Sequence, residues 1–243
     1  MVRRAAALLT LAIWAGGAQA ECRQALALGL DVSGSVDRRE YRLQLDGLAA
    51  ALADTDVRAA FLAMPGAPVR LAVFEWAGPG QQRLLVDWTE IAAADRLAAI
   101  SDRLRGTESI YDDPSTAIGA AMRHGARLLR RQAGCWRQTL DISGDGPSNS
   151  GPQPRDVLDP VPPGLTVNGL VVVPLSRANI DKDLSRVKTL RQYYRAEVVR
   201  GPGAFVETAA DFEDFARAMR RKLLRELSGA MLSRAARPRA APQ

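Results

Sequence analysis

The sequence predicts an α/β fold built on a mainly parallel sheet in one domain. Three observations carry this expectation. Runs that read as strands alternate with runs of helical period along most of the chain. "LTVNGLVVVP" (165–174) is apolar almost without interruption, the pattern of a strand covered on both faces. Gly78-Pro79-Gly80 joins two strand-like runs as a turn, so one hairpin adds an antiparallel strand to the sheet.

The elements follow in order. "LALGLD" (26–31) is the first strand, and Asp37 opens a helix whose apolar Tyr41, Leu45, Leu48 and Leu52 recur at three- and four-residue steps. "VRLAVFEWA" (69–77) is rich in β-branched and aromatic residues and "QQRLLVDWTEI" (81–91) is its hairpin partner, with Glu75 and Trp76 read as packing and polarity at the strand's end. "AAADRLAAISDRL" is a helix with Leu97, Ile100 and Leu104 on one side. "GTESIYDDP" is a loop, closed by Asp113-Pro114 as the start of a helix running to about Gln132. "RQTLDIS" is the fourth strand and ends in the turn-rich "GDGPSNSGPQP". After the strand at 165–174 come a polar helix (181–194), a short strand around Phe205, and "DFEDFARAMRRKLLREL" with Phe212, Phe215, Met219 and Leu223 on one stripe. Tyr193 and Tyr194 read as packing of the helix they end, and Gly201-Pro202-Gly203 as a turn.

The ends of the chain set its expected compartment. Residues 1–20 combine Arg3 and Arg4, an apolar run from Ala5 to Ala15, and a small-x-small ending at Ala18, Gln19 and Ala20. This is a secretory signal peptide, with the mature chain starting at Glu21 and the product periplasmic or extracellular. No later stretch is long and apolar enough to span a membrane. The expected organisation is therefore a leader over 1–20, a domain over 21–228 and a basic, disordered tail over 229–243. The net charge of +6 comes from the C-terminus: Arg220, Arg221, Lys222, Arg225, Arg234, Arg237 and Arg239 face one acid there, Glu226. The body lacks a basic stripe with interleaved aromatics, so nucleic acid is not an expected partner. Cys22 and Cys135, the two cysteines, each precede an apolar run that ends in aspartate. If those runs are neighbouring parallel strands, a disulfide in an oxidising compartment follows naturally.

The chemistry gathers at strand ends, where open parallel sheets bind ligands. Asp31, Ser33 and Ser35 follow the first strand, Asp145 follows the fourth, and Thr116 stands at a helix entry. Two carboxylates and three hydroxyls, with no nitrogen or sulfur donor, describe a site for a hard cation, Mg²⁺ or Mn²⁺. The competing reading of Asp-x-Ser-x-Ser is a turn and cap before the helix at Asp37.

"DVSGS", Thr116 in "TAIGAAM" and Asp145 in "SGDG" resemble the metal-ion-dependent adhesion site (MIDAS) of von Willebrand factor type A (vWA) domains. More closely, "LDVSGSVDRREYRLQLDGLAAAL", "VFEWAGPGQQ", "LDISGDGPSN", "VNGL" and "YYRAEVVRGPGAFV" resemble DUF1194, a bacterial family of exported domains of this type. The resemblance implies a three-layer, doubly wound sheet, mainly parallel with one antiparallel edge strand, and adjacent first and fourth strands that support the cysteine pair. It implies a divalent ion held by Asp31, Ser33, Ser35, Thr116 and Asp145, completed by a carboxylate from a protein or peptide partner, and a last helix that shifts as the site changes. The usual ending of the fourth strand in this fold is Thr-Asp-Gly, one residue shorter than Ser143-Gly144-Asp145-Gly146. Asp145 is favoured as the site residue because Asp141 lies within the strand, with Asp141 as the alternative and Glu108, Asp112 and Asp113 as further acids nearby.

The expected function is thus metal-dependent binding and not turnover. Two alternatives stand beside it: a hydrolase using the same ion, and a structural domain with a vestigial site. Haloacid-dehalogenase-like chemistry requires a carboxylate where Ser33 stands, and there is no P-loop spacing. His124, the sole histidine, is two helical turns past Thr116, roughly 12 Å along the axis.

Overall fold

"QALALGLD" is buried at every position because a helical layer covers each face of the sheet, and it forms the central strand β1 (Gln24–Asp31). The computed structural model describes residues 22–108, 114–158, 161–173 and 180–235. The leader read over 1–20, with Glu21, Asp112, Asp113, Arg237 and Arg239, lies outside them.

The chain continues through α1 (Arg38–Ala53), α2 (Thr55–Leu62), β2 (Val69–Trp76), β3 (Gln82–Ile91), α3 (Ala94–Arg105), α4 (Ile118–Arg130), β4 (Gln138–Gly144), β5 (Leu165–Val172), α5 (Ile180–Tyr193), β6 (Val206–Ala209) and α6 (Phe215–Ala235). A 3₁₀ turn at Pro154–Asp156 follows β4, and a π-helical turn at Tyr194–Val198 follows α5. The sheet order is β3-β2-β1-β4-β5-β6, parallel throughout except for the β2–β3 hairpin. This is the expected mainly parallel α/β sheet with one antiparallel edge strand.

Residue alternation on the strands sorts the two cores. Leu26, Leu28 and Leu30 face α1, α2, α3 and α6, whereas Ala25 and Ala27 join α4, Tyr194 and Val198 on the other side. The stripe Tyr41, Leu45, Leu48 and Leu52 on α1 and Phe212, Phe215, Met219 and Leu223 at α6 all belong to the first core. Helix α2 was not anticipated. It has eight residues, and its start is set by Asp54, whose carboxylate accepts the N–H groups of Asp56 and Val57 at 3.0 and 3.2 Å. Helix α4 begins at Ile118, later than the Pro114 entry read from the sequence, because 114–117 is irregular, with Thr116 tied to Asn149 rather than in a helical turn.

β1 and β4 are neighbours in register, Leu28 opposite Asp141 and Gly29 opposite Ile142. At their amino ends Cys22 and Cys135 form a disulfide, with 4.5 Å between Cα atoms and 113 residues between them in sequence. Constraining a loop of that length stabilises by about 4–5 kcal/mol on the chain-entropy account.

Three of the basic C-terminal residues, Arg220, Arg221 and Lys222, are matched by acids within the fold. Arg220 bonds Asp54 at 2.8 Å and pairs with Asp56, and Arg221 meets Glu207 at 3.1 Å. Lys222 is fully buried, pairing with Asp141 on β4 and with Glu226 at 2.6 Å. Glu226 also accepts from Asn168 on β5 at 2.7 Å. Asp141 therefore faces α6, as alternation demands of a residue between Leu140 and Ile142, and its side chain anchors that helix to the sheet. Lys222→Ala leaves two carboxylates buried without their cation, so it lowers the unfolding free energy by about 3–5 kcal/mol. Arg221→Ala, at a partly exposed pair, lowers it by under about 1 kcal/mol. Urea denaturation of the two variants tests the contrast, and equal losses would contradict it.

Candidate functional site

β1 and β4 lie at the point where the strand order reverses, and the loops leaving their carboxyl ends meet there. Asp31 is the last residue of β1 and is buried, with its backbone carbonyl accepting from Gln44 on α1 at 2.8 Å. Its Oδ1 accepts the N–H of Ser33 at 2.8 Å, which turns the chain back at once. Val36 N–H then bonds the Ser33 carbonyl at 2.8 Å, and the turn delivers Ser33 and Ser35 to one side. Gly34 at its tip admits Pro114: a Cβ there would stand 2.6 Å from the Pro114 Cα.

A row of oxygens results. Thr116 Oγ1 donates to Ser33 Oγ at 3.1 Å, Ser33 and Ser35 hydroxyls are 3.4 Å apart, and Ser35 Oγ donates to Asp145 Oδ1 at 2.7 Å. The five residues singled out in the sequence thus come together, while Asp141 is occupied with Lys222 on the opposite face of the sheet. Glu108 offers its backbone carbonyl to Arg83. The cap reading of the serines also meets a clear observation. Helix α1 is capped by Asp37 and Glu40, each side chain accepting from the other's backbone N–H, at 2.8 and 3.0 Å. Ser33 and Ser35 have no part in it.

Several contributors escaped sequence reasoning. Asn149 clamps Thr116 from both sides: its Oδ1 accepts the Thr116 N–H at 2.8 Å and its own N–H donates to the Thr116 carbonyl at 2.9 Å. Ser148 Oγ adds a bond to the same carbonyl at 3.2 Å, and the Tyr193 hydroxyl accepts the Ser148 N–H at 3.1 Å. The longer ending of β4 is therefore a loop that fixes Thr116. The available signal was the run of turn residues in "PSNS", which names a turn but not its distant partner. Glu75 is buried with Tyr41 donating at 2.9 Å and Arg83 at 2.7 Å, and His124 packs on Phe74 with ring centroids 5.0 Å apart. Neither reaches the oxygen row by any of these contacts.

Burial perturbs both acids of the site. Burial, then the neighbouring Asp145 carboxylate, push the Asp31 carboxyl from its ordinary 3.8 up to about 7, against the opposing bonds from Ser33 and the Asp145 backbone N–H. Burial also raises Asp145, with the Ser35 bond and Arg186 opposing. Among the described residues no three His, Cys, Asp or Glu side chains cluster for a metal, so any cation here must be held by mixed carboxylate and hydroxyl oxygens. The donors present have that composition and fit a hard ion.

The family model described as "Protein of unknown function (DUF1194)" matches residues 21–231. The chain belongs to this family. No curated protein sequence matches this DUF1194 chain. Among solved structures, a von Willebrand factor type A structure from Catenulispora acidiphila is 17% identical with a TM-score of 0.54, over 85% of this chain and 43% of that one. Proximal thread matrix protein 1 from the mussel byssus, solved with a zinc-occupied MIDAS motif, is 13% identical with a TM-score of 0.54, over 86% and 46%. The pilus adhesin SpaC from Lactobacillus rhamnosus GG is 15% identical with a TM-score of 0.55, over 88% and 31%. The DUF1194 chain spans less than half the length of each. These likenesses give the vWA fold.

The raised carboxyl of Asp31 carries a pH consequence. The folded, metal-free protein holds that proton more tightly than the unfolded chain, so protonation stabilises the fold. The contribution is complete below about 3.8 and is lost as pH rises through about 7. In chelator, the urea midpoint of the wild type falls across that window, and Asp31→Asn, uncharged throughout, reduces the slope. An unchanged slope in the variant would assign it to other groups.

Proposed function

We propose that this DUF1194 protein is an exported, divalent-cation-dependent binding domain whose ligand is a protein or peptide. The observation that carries the reading is the continuous row Thr116–Ser33–Ser35–Asp145 beside buried Asp31, oxygen donors only, at the reversal point of the sheet. Mg²⁺ or Mn²⁺ would be held by these five residues, and when bound it supplies a positive centre for a ligand carboxylate.

The chain's own residues do the rest. Asp31 and Asp145 concentrate negative charge that a cation relieves. Ser33 and Ser35 face one point because Asp31 holds the start of their turn and the Val36 N–H closes it on the Ser33 carbonyl. Asn149 and Ser148 keep Thr116 against Ser33. The zinc-occupied MIDAS of the mussel protein and the adhesin fold of SpaC support metal binding and adhesion as the type of activity. Export is supported by the Cys22–Cys135 disulfide and by the leader read from the sequence; no helix among the described residues is long and apolar enough to cross a membrane.

Calorimetric titration of the chelator-stripped protein, residues 21–243, with Mn²⁺ and Mg²⁺ tests the reading. Saturable one-site binding is expected in the wild type and is lost in folded Asp31→Ala. Absence of binding in a folded wild type would overturn the metal reading.

A further inference from the structure

Asp31 has one oxygen bonded and one not. Oδ1 accepts from Ser33, whereas Oδ2 is buried and has no well-formed hydrogen bond, although the Asp145 backbone N–H also lies close to the carboxylate. A buried carboxylate oxygen without a donor is costly, and such a group calls for an explanation. Two buried donors close by are in the complementary condition: Tyr194 OH and Trp76 Nε1 have no acceptor.

All three gather over Gly144. A Cβ on that residue would stand 2.4 Å from the Tyr194 hydroxyl, 2.9 Å from Asp31 Oδ2 and 3.6 Å from Trp76 Cζ2, which is two bonds from the indole nitrogen. The place for the tyrosine is built by a second glycine on the neighbouring strand. A Cβ on Gly169 of β5 would be 2.7 Å from Tyr194 Cδ1, so the ring lies over Gly169 and its hydroxyl over Gly144. Tyr194 is fully buried and opens the π-helical turn after α5. Inserted residues of this kind recur at functional sites because they re-aim side chains. Here consecutive tyrosines serve the same end of the sheet: Tyr193 holds the Ser148 loop, and Tyr194 lies behind Asp31.

We propose that Tyr194 is a positioning residue for Asp31, its hydroxyl donating to Oδ2 across the bare face of Gly144 with the Trp76 indole N–H as a second donor. The carboxylate is then held from behind and keeps its orientation towards the turn that carries Ser33 and Ser35. The consequence for metal affinity rests on the metal-binding reading; the contact between Tyr194 and Asp31 does not.

A double-mutant cycle of Tyr194→Phe and Asp31→Ala in chelator at about pH 8, read as urea midpoints, tests the contact without metal. Tyr194→Phe is expected to lower the midpoint when Asp31 is present and to leave it nearly unchanged in Asp31→Ala. Mn²⁺ titration of folded Tyr194→Phe is expected to show affinity about ten-fold weaker than the wild type, the size typical of residues that orient a metal's ligands. Equal midpoint shifts in both backgrounds overturn the proposal, as does wild-type Mn²⁺ affinity in the folded variant. If the wild type takes up no Mn²⁺, the cycle alone decides: non-additivity sustains the Tyr194 contact while the metal reading falls, and additivity removes the contact too. Should Tyr194→Phe not fold, the same cycle and titration with Trp76→Phe decide by the same outcomes.

Discussion

Parallel pairing of β1 with β4 is the constraint on which the rest of the molecule depends. It places two chain segments more than a hundred residues apart side by side, with their amino ends joined by Cys22 and Cys135 and their carboxyl ends opening on one crevice. Because the sheet order reverses between these strands, their connections leave in opposite directions. Asp31 and Asp145 are brought together there; burial raises both carboxyls and the neighbouring Asp145 raises Asp31 further, the kind of perturbation that gathers at functional sites.

The contrast between the two buried acidic groups clarifies how the fold separates stability from chemistry. Asp141 and Asp31 are both wholly inside, and both carboxyls are raised by burial to about 7. Asp141 meets Lys222 and so joins α6 to β4. Asp31 meets the Ser33 hydroxyl, the backbone N–H groups of Ser33 and Asp145 and another acid, and no salt bridge of the described residues includes it. The Lys222 pin also bears on the expectation that the last helix shifts with the site: any movement of α6 has to draw a fully buried ammonium away from Asp141 on β4 and Glu226 of the same helix away from Asn168 on β5.

Much of this was legible in the sequence because its signals are local or periodic. Alternating strands and helices, the near-continuous apolar run of β5 and the Gly-Pro-Gly hairpin turn gave the layers and the antiparallel edge. "DVSGS", Thr116 and Asp145 stood at strand and helix ends, where side chains are free to converge. What stayed hidden acts at long range. Asn149 and Thr116 are 33 residues apart, and their reciprocal bonds depend on how two loops cross. The slot for Tyr194 is made by the absence of side chains on Gly144 and Gly169, and a glycine in a strand does not say what lies over it. Arg220 and Arg221 read as part of a charged end because their partners, Asp54, Asp56 and Glu207, lie in other elements.

The account's central claim is that the oxygen row at the end of β1 and β4 holds a divalent cation. Crystals of the protein grown with Mn²⁺, measured for anomalous scattering, test this most directly. The account predicts one strong peak among Asp31, Ser33, Ser35, Thr116 and Asp145, lost in crystals of Asp31→Ala. A map with no peak at that place, or with manganese bound only at surface acids, would contradict it.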